Sequence, residues 1–172
     1  MLKTKSITNS LLKSSELNHR LNHKSLVLSS RQMNWNGILV EEYQHSPTPE
    51  EVELPALSDH WLLLPLGQPA YLTQKRDDRL HESIVQEGDS ILVPAGQPSY
   101  WYCHRSDTHR PMLHIHLQPE LVGQVAQASA MDTEQIDLAN HFRKQDLPLQ
   151  HLAMLFLAEL RSGGIMGRLY VE

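Results

Sequence analysis

Two histidines separated by one residue, His114-Ile-His116, make the most direct candidate for chemistry in this chain of 172 residues and eleven histidines. On a strand both imidazoles share one face, which is how a two-point metal chelate can be built. The flanking Leu113, Ile115 and Leu117 share the other face and are expected to be the core side, which leaves His114 and His116 on the outer face. Other pairs are less promising. His81-Glu82 and Cys103-His104 are adjacent, so their side chains diverge on a strand, and Cys103 is expected to be a buried, inert thiol. Asp77-Asp78, between Arg76 and Arg79, reads as a solvated hairpin turn, and Glu50-Glu-Val-Glu53 as a charged edge segment. The sequence holds no G-x-S-x-G, no HExxH and no glycine-rich phosphate loop. No catalytic residue and no cofactor is expected.

Charge narrows the partners. Residues 1–31 hold six Lys/Arg against the single acid Glu16, a net +5, leaving nine bases against nineteen acids, a net −10, for the rest. A body that acidic lacks the positive face that phosphate binding needs. The basic stretch, rich in Ser, Asn and Lys, reads as a flexible tail over residues 1–30. No apolar run of signal or membrane-span length follows it, so the expected location is cytoplasmic with no membrane partner. The single cysteine, Cys103, excludes an internal disulfide.

The elements that must carry any site are short strands and then helices. Apolar runs at Ile38–Tyr43, Trp61–Leu64, Ala70–Gln74, Leu80–Val85, Ser90–Val93, Ser99–Cys103 and Met112–Leu117 are separated by turn residues, the pattern of an all-β sandwich or barrel. The segment Lys75-Arg-Asp-Asp-Arg79 reads as the turn of one hairpin. Helical spacing begins at Pro119 and continues through Ala130, and a second helix covers about Leu147–Arg161 before Gly163-Gly164 stops it. A third element restarts at Gly167, and the chain is expected to be truncated within it.

The stretch Gly88-Asp-Ser-Ile-Leu-Val-Pro-Ala-Gly-Gln-Pro-Ser-Tyr-Trp-Tyr-Cys103 reads as turn, strand, tight turn, strand. It resembles the second signature of cupin barrels, matching Gly88, Pro94 and Gly96 and departing where that signature has its metal-binding histidine (here Ser99) and its asparagine (here Cys103). The resemblance implies a mainly β chain with C-terminal α structure: a cupin-like double-stranded β-helix, or jelly roll, over residues 31–118, then a helical segment over 119–172 with two or more helices. Together with Trp35–His45 and Leu157–Glu172, the order also resembles the N-terminal half of AraC-type transcriptional regulators, of the kind common in cyanobacteria. That resemblance implies an effector-binding domain that senses a small molecule, forms a homodimer, and reaches DNA only through a C-terminal helix-turn-helix half absent from this sequence. Ile91, Val93, Ser99, Trp101, Cys103, Leu113 and Ile115 are then the expected ligand-binding lining. Two other readings stay open: a metal-dependent cupin dioxygenase or isomerase using His114 and His116, and an interaction module whose barrel is filled by side chains.

Overall fold

A computed structural model of the chain describes residues 10–21, 24–132, 136 and 138–164. It begins with a 3-10 helix, Ser14–Arg20, and ten strands follow: β1 (Lys24–Ser29), β2 (Ile38–His45), β3 (Glu50–Leu54), β4 (His60–Pro65), β5 (Ala70–Arg76), β6 (Arg79–Val85), β7 (Asp89–Val93), β8 (Ser99–Cys103), β9 (Arg110–Leu117) and β10 (His141–Gln145). Helix α1 (Pro119–Ala128) precedes β10, and helix α2 (Leu147–Arg161) follows it.

The pairing is nested. β5 pairs with β6, β4 with β7, β3 with β8 and β2 with β9, all antiparallel. The chain is thus one long antiparallel ribbon, rolled so that β4 also pairs with β9 and β5 with β8. Rolling yields one sheet in the order β1-β2-β9-β4-β7-β10 and another in the order β3-β8-β5-β6. That nesting defines a jelly roll. The fold is cupin-like.

Turn chemistry holds the ribbon in register. Asp77 and Asp78 form the two-residue β5–β6 turn at φ 49° and 57°, a left-handed pair that aspartate tolerates better than most residues. Gly88 and Gly96 sit at φ 96° and 82° around β7. A Cβ at either position would strain the backbone whatever the space around it.

Two apolar clusters explain which faces are buried. Between the sheets lie Tyr43, Trp61, Leu63, Leu72, Ile91, Val93 and Trp101, among others. On the far face of the larger sheet, Val40, Leu62, Leu64, Leu113 and Ile115 pack against Ala153, Leu157 and Leu160 of α2. The central strand β4 therefore buries both faces, which is why His-Trp-Leu-Leu-Leu-Pro shows no polar alternation. Helix α2 covers the span expected for it, with the Asp146 side chain accepting from the Leu149 N–H at 3.0 Å at its start. At its end Arg161 donates to Glu42 of β2 at 2.7 Å. Replacing Asp146 with Ala should cost about 1 kcal/mol of stability, the usual worth of an N-cap, readable by urea denaturation.

The described residues correct three boundaries. The tail expected over residues 1–30 carries, among its described residues, the 3-10 helix and β1: Leu17 and Leu21, four apart, are core residues, and β1 adds an edge strand to β2. Two well-placed leucines outweigh a polar composition, because burial follows position. The segment 119–172 is not purely helical, since β10 pairs with β7. Helix α1 ends at Ala128 instead of Ala130, and Ala130 turns the chain at φ 54°. The restart at Gly167 lies outside the described residues.

Candidate functional site at the barrel mouth

Strand alternation sorts the side chains of the smaller sheet. On β5, Ala70, Leu72, Gln74 and Arg76 point inward; on β8, Ser99, Trp101 and Cys103 do. Gln74 stands opposite Trp101 and Cys103 opposite Leu72, so the two inward rows share one wall. Ile91 and Val93 of β7 face them from the other sheet and are fully buried. Five of the seven expected lining residues therefore line the interior.

Leu113 and Ile115 do not. They lie on the opposite face of β9, under α2, and it is His114 and His116 that point inward, both fully buried. The expected facing is inverted for a physical reason. Alternation shows that two faces differ without saying which is the lumen side; α2 also demands an apolar sheet face, and the lumen tolerates polar groups.

Inside, His114 lies 4.5 Å from the Tyr43 ring, 5.3 Å from Trp61 and 6.1 Å from His45, centroid to centroid, and His116 stacks on Trp61 at 5.9 Å. Among the described residues, none of the four ring nitrogens of His114 and His116 has a hydrogen-bond partner, nor has Nε2 of His45. Burial holds all three imidazoles well below their usual range, His116 at about 3, so they are neutral at pH 7. Such orphaned nitrogens invite a test for a metal. The residues do not fit one: Trp61 packs against both His114 and His116, and no group of three or more His, Cys, Asp or Glu among the described residues is arranged to hold an ion. Cys103 is equally quiet, since burial raises its thiol pKa and keeps it protonated.

The other end of the lumen is differently built. Arg76 is 1% exposed, yet its three hydrogen-bond partners among the described residues are neutral. NH1 donates to Gln74 Oε1 at 2.9 Å, Nε to Asn140 Oδ1 at 2.7 Å and NH2 to the His141 carbonyl at 3.2 Å. The guanidinium carbon lies 5.2 Å from the Trp101 ring and 4.2 Å from that of Phe142. Burial lowers its pKa to about 10, which leaves it fully charged at neutral pH. Beside it the Ser99 hydroxyl accepts from the Trp101 indole N–H at 2.8 Å. A cleft of about 430 Å³ opens here, lined by Arg76, Ser99, Leu54, Gln97 and Tyr100, with the acids Glu53, Asp77 and Asp78 at its rim. Its volume falls in the range of small-ligand sites.

Gln74, Arg76 and Phe142 escaped the sequence reading. The charged run Lys75 to Arg79 reads as a turn, whereas β5 runs on to Arg76 and the turn is Asp77-Asp78 alone. The missed signal was the alternation Ala70, Leu72, Gln74, Arg76, which continues the inward row to the charged residue. His-Phe-Arg-Lys-Gln has no strand alternation to mark it.

No family model matches this chain, and no curated protein matches it either. Among solved structures it is similar to a cupin domain from Bordetella pertussis Tohama I, at 18% identity over 55% of this chain and 93% of that one, with a TM-score of 0.42. It is also similar to the AraC-like transcriptional activator CuxR, at 13% identity over 77% of this chain and 44% of that one, TM-score 0.48. A third is hydroxypropylphosphonic acid epoxidase from S. wedmorenis, at 10% identity over 56% of this chain and 51% of that one, TM-score 0.43. These scores lie below 0.5, and the jelly-roll assignment stands on strand order and register alone. No helix among the described residues is long and apolar enough to cross a membrane.

Proposed function

We propose that this chain is a regulatory domain that senses a small organic molecule at the mouth of its jelly roll, as in the effector-binding half of an AraC-type regulator, with no catalysis of its own. DNA reading would belong to a separate C-terminal unit. The observation that carries this reading is the mouth itself: a buried guanidinium and the Ser99 hydroxyl line an open cleft, and Gln74 and Trp101 hold them from behind. A buried cation at that position repels a metal dication and attracts an organic ligand with acceptor groups. The mouth is also tied, through Asn140 to Phe142, to the chain entering α2. Occupancy can therefore shift the population of helix arrangements. The exposed leucines 147, 152 and 155 of α2 would meet their counterparts in a homodimer.

A metabolite library screened by thermal shift tests the reading. A ligand at a hundredfold its Kd should add about 2.7 kcal/mol to stability and raise Tm by roughly 5–10 °C. The shift should vanish in Ser99→Leu. A library that moves nothing sinks the sensor reading and leaves a filled interaction module.

The second reading, a metal-dependent cupin enzyme, has the orphaned nitrogens of His45, His114 and His116 in its favour. Elemental analysis of untagged protein separates the two. Stoichiometric iron, manganese or zinc, lost in the His114→Ala, His116→Ala double variant, would establish the enzyme reading.

A further inference from the structure

Arg76 is a buried cation at an open cleft, answered directly by neutral groups alone. Among the described residues its contacts supply three neutral oxygens and two aromatic faces but no carboxylate within ion-pair distance. A buried charge whose direct contacts are all neutral, with only the exposed Asp77 carboxylate acting on it from outside hydrogen-bond range, remains incompletely satisfied.

Much of what satisfies it comes from one short strap at the start of β10. Asn140 Oδ1 and the His141 carbonyl accept from Arg76, and the Phe142 carbonyl accepts from Gln74 Nε2 at 3.0 Å. The Phe142 ring lies over the guanidinium and 5.2 Å from the His81 ring. The strap thus presents oxygen acceptors and one aromatic ring to a guanidinium and an amide. An aromatic acid carries the same groups in a single molecule and adds the missing negative charge. Charge-assisted, bidentate bonds to arginine are roughly twice as strong as bonds to neutral oxygens, so such a ligand outcompetes the strap.

We propose, resting on the sensing reading above, that the mouth takes a small aromatic carboxylate, which displaces residues 140–142 from Arg76 and Gln74. The acids Glu53, Asp77 and Asp78 do not forbid this. They are exposed at the rim, where solvent and salt screen them, whereas Arg76 is buried. Release of the strap reaches the helices directly. Beyond Phe142 the chain is held by the Arg143–Asp89 ion pair at 2.8 Å, and Asp146 caps α2 three residues later. Loosening residues 140–142 therefore leaves the lead-in to α2 held by that ion pair and the β7 pairing alone, with the barrel intact.

The test uses the full chain with benzoate, phenylacetate and indole-3-acetate, each beside its neutral amide, by isothermal titration. At least one acid should bind, with its amide at least tenfold weaker. Arg76→Gln should weaken the acid at least tenfold, and Arg76→Lys, which keeps the charge but loses the fork, by less. Phe142→Ala removes the internal competitor and should tighten binding severalfold. Hydrogen exchange at residues 140–145 should quicken on binding. If Arg76→Gln fails to fold, the acid–amide comparison and Phe142→Ala decide alone. Equal binding of acid and amide overturns the proposal, as does unchanged exchange at 140–145. So does the failure of all three acids to bind either wild type or Phe142→Ala. Neutral metabolites that raise Tm equally in wild type and Arg76→Gln would discard this proposal while leaving the sensing reading intact.

Discussion

Trp61→Ala should cost about 3–5 kcal/mol of folding stability, the usual range for deleting a fully buried large aromatic side chain. Trp61 is 1% exposed and sits in the central strand of the larger sheet. It meets Trp101 edge-on at 5.4 Å, and His114 and His116 at 5.3 and 5.9 Å. It is the side chain through which the imidazole row of β9 and the Trp101–Arg76 end of the lumen touch. Domains of this size have about 5–15 kcal/mol in total, so the variant loses roughly a fifth or more of it and a Tm drop of roughly 10 °C is expected. Trp61→Phe keeps a ring and removes an indole N–H that has no partner, so it should cost far less. Urea denaturation of the three proteins, with m-values compared, checks this ranking. A loss below about 1 kcal/mol in Trp61→Ala would mean that the lumen is not packed around this ring.

How far the sequence carried depends on what kind of signal each feature left. The turns Gly88-Asp89 and Pro94-Ala-Gly96 were legible because left-handed backbone and a missing N–H are written in residue type. Helix α2 was legible because its stripe is long and ends in two glycines. The facing of β9 was not, since a strand covered on both sides gives an alternation whose sign depends on α2, thirty residues further on. The same blindness hid the mouth. Arg76 is charged, so a local reading places it in the turn; only its pairing with Arg79 across the hairpin shows that it extends the strand. Strand β10 has no pattern of its own and forms because β7 offers an edge and Asp89 offers Arg143 a partner. What was missed is tertiary in origin, and the missed residues are those that make the candidate site distinctive.

Acid should unfold this protein more steeply than its carboxylates alone would. His45, His114 and His116 are neutral in the fold, held down first by burial and then by nearby cations: Lys24 and Arg110 for His45, Lys24 for His114, Arg31 for His116. The one buried acid paired across the strands with His114, Glu41, is already engaged by Ser29, Arg31 and Tyr43 at 3.0, 3.0 and 2.8 Å. It has little left to offer an imidazolium. In the unfolded chain each histidine takes up a proton near its ordinary pKa of about 6.5. The unfolded state therefore binds more protons below that pH, and stability falls as pH falls. The contribution is complete above about pH 7 and is lost progressively from about 6.5 downward, for His116 until its folded value of about 3 is reached. Each fully differential proton is worth about 1.4 kcal/mol per pH unit, so His116 alone supplies a slope of that size below about pH 5.5, and His45 and His114 add to it in the same direction. Urea denaturation at pH 7, 6, 5 and 4.5 measures it. His116→Leu should flatten the slope by about 1.4 kcal/mol per pH unit while leaving stability at pH 7 nearly unchanged, because the imidazole it removes has no hydrogen bond to lose. A stability that stays level from pH 7 to 5 would show that these histidines find partners or water when charged, and that the lumen is wetter than its packing implies.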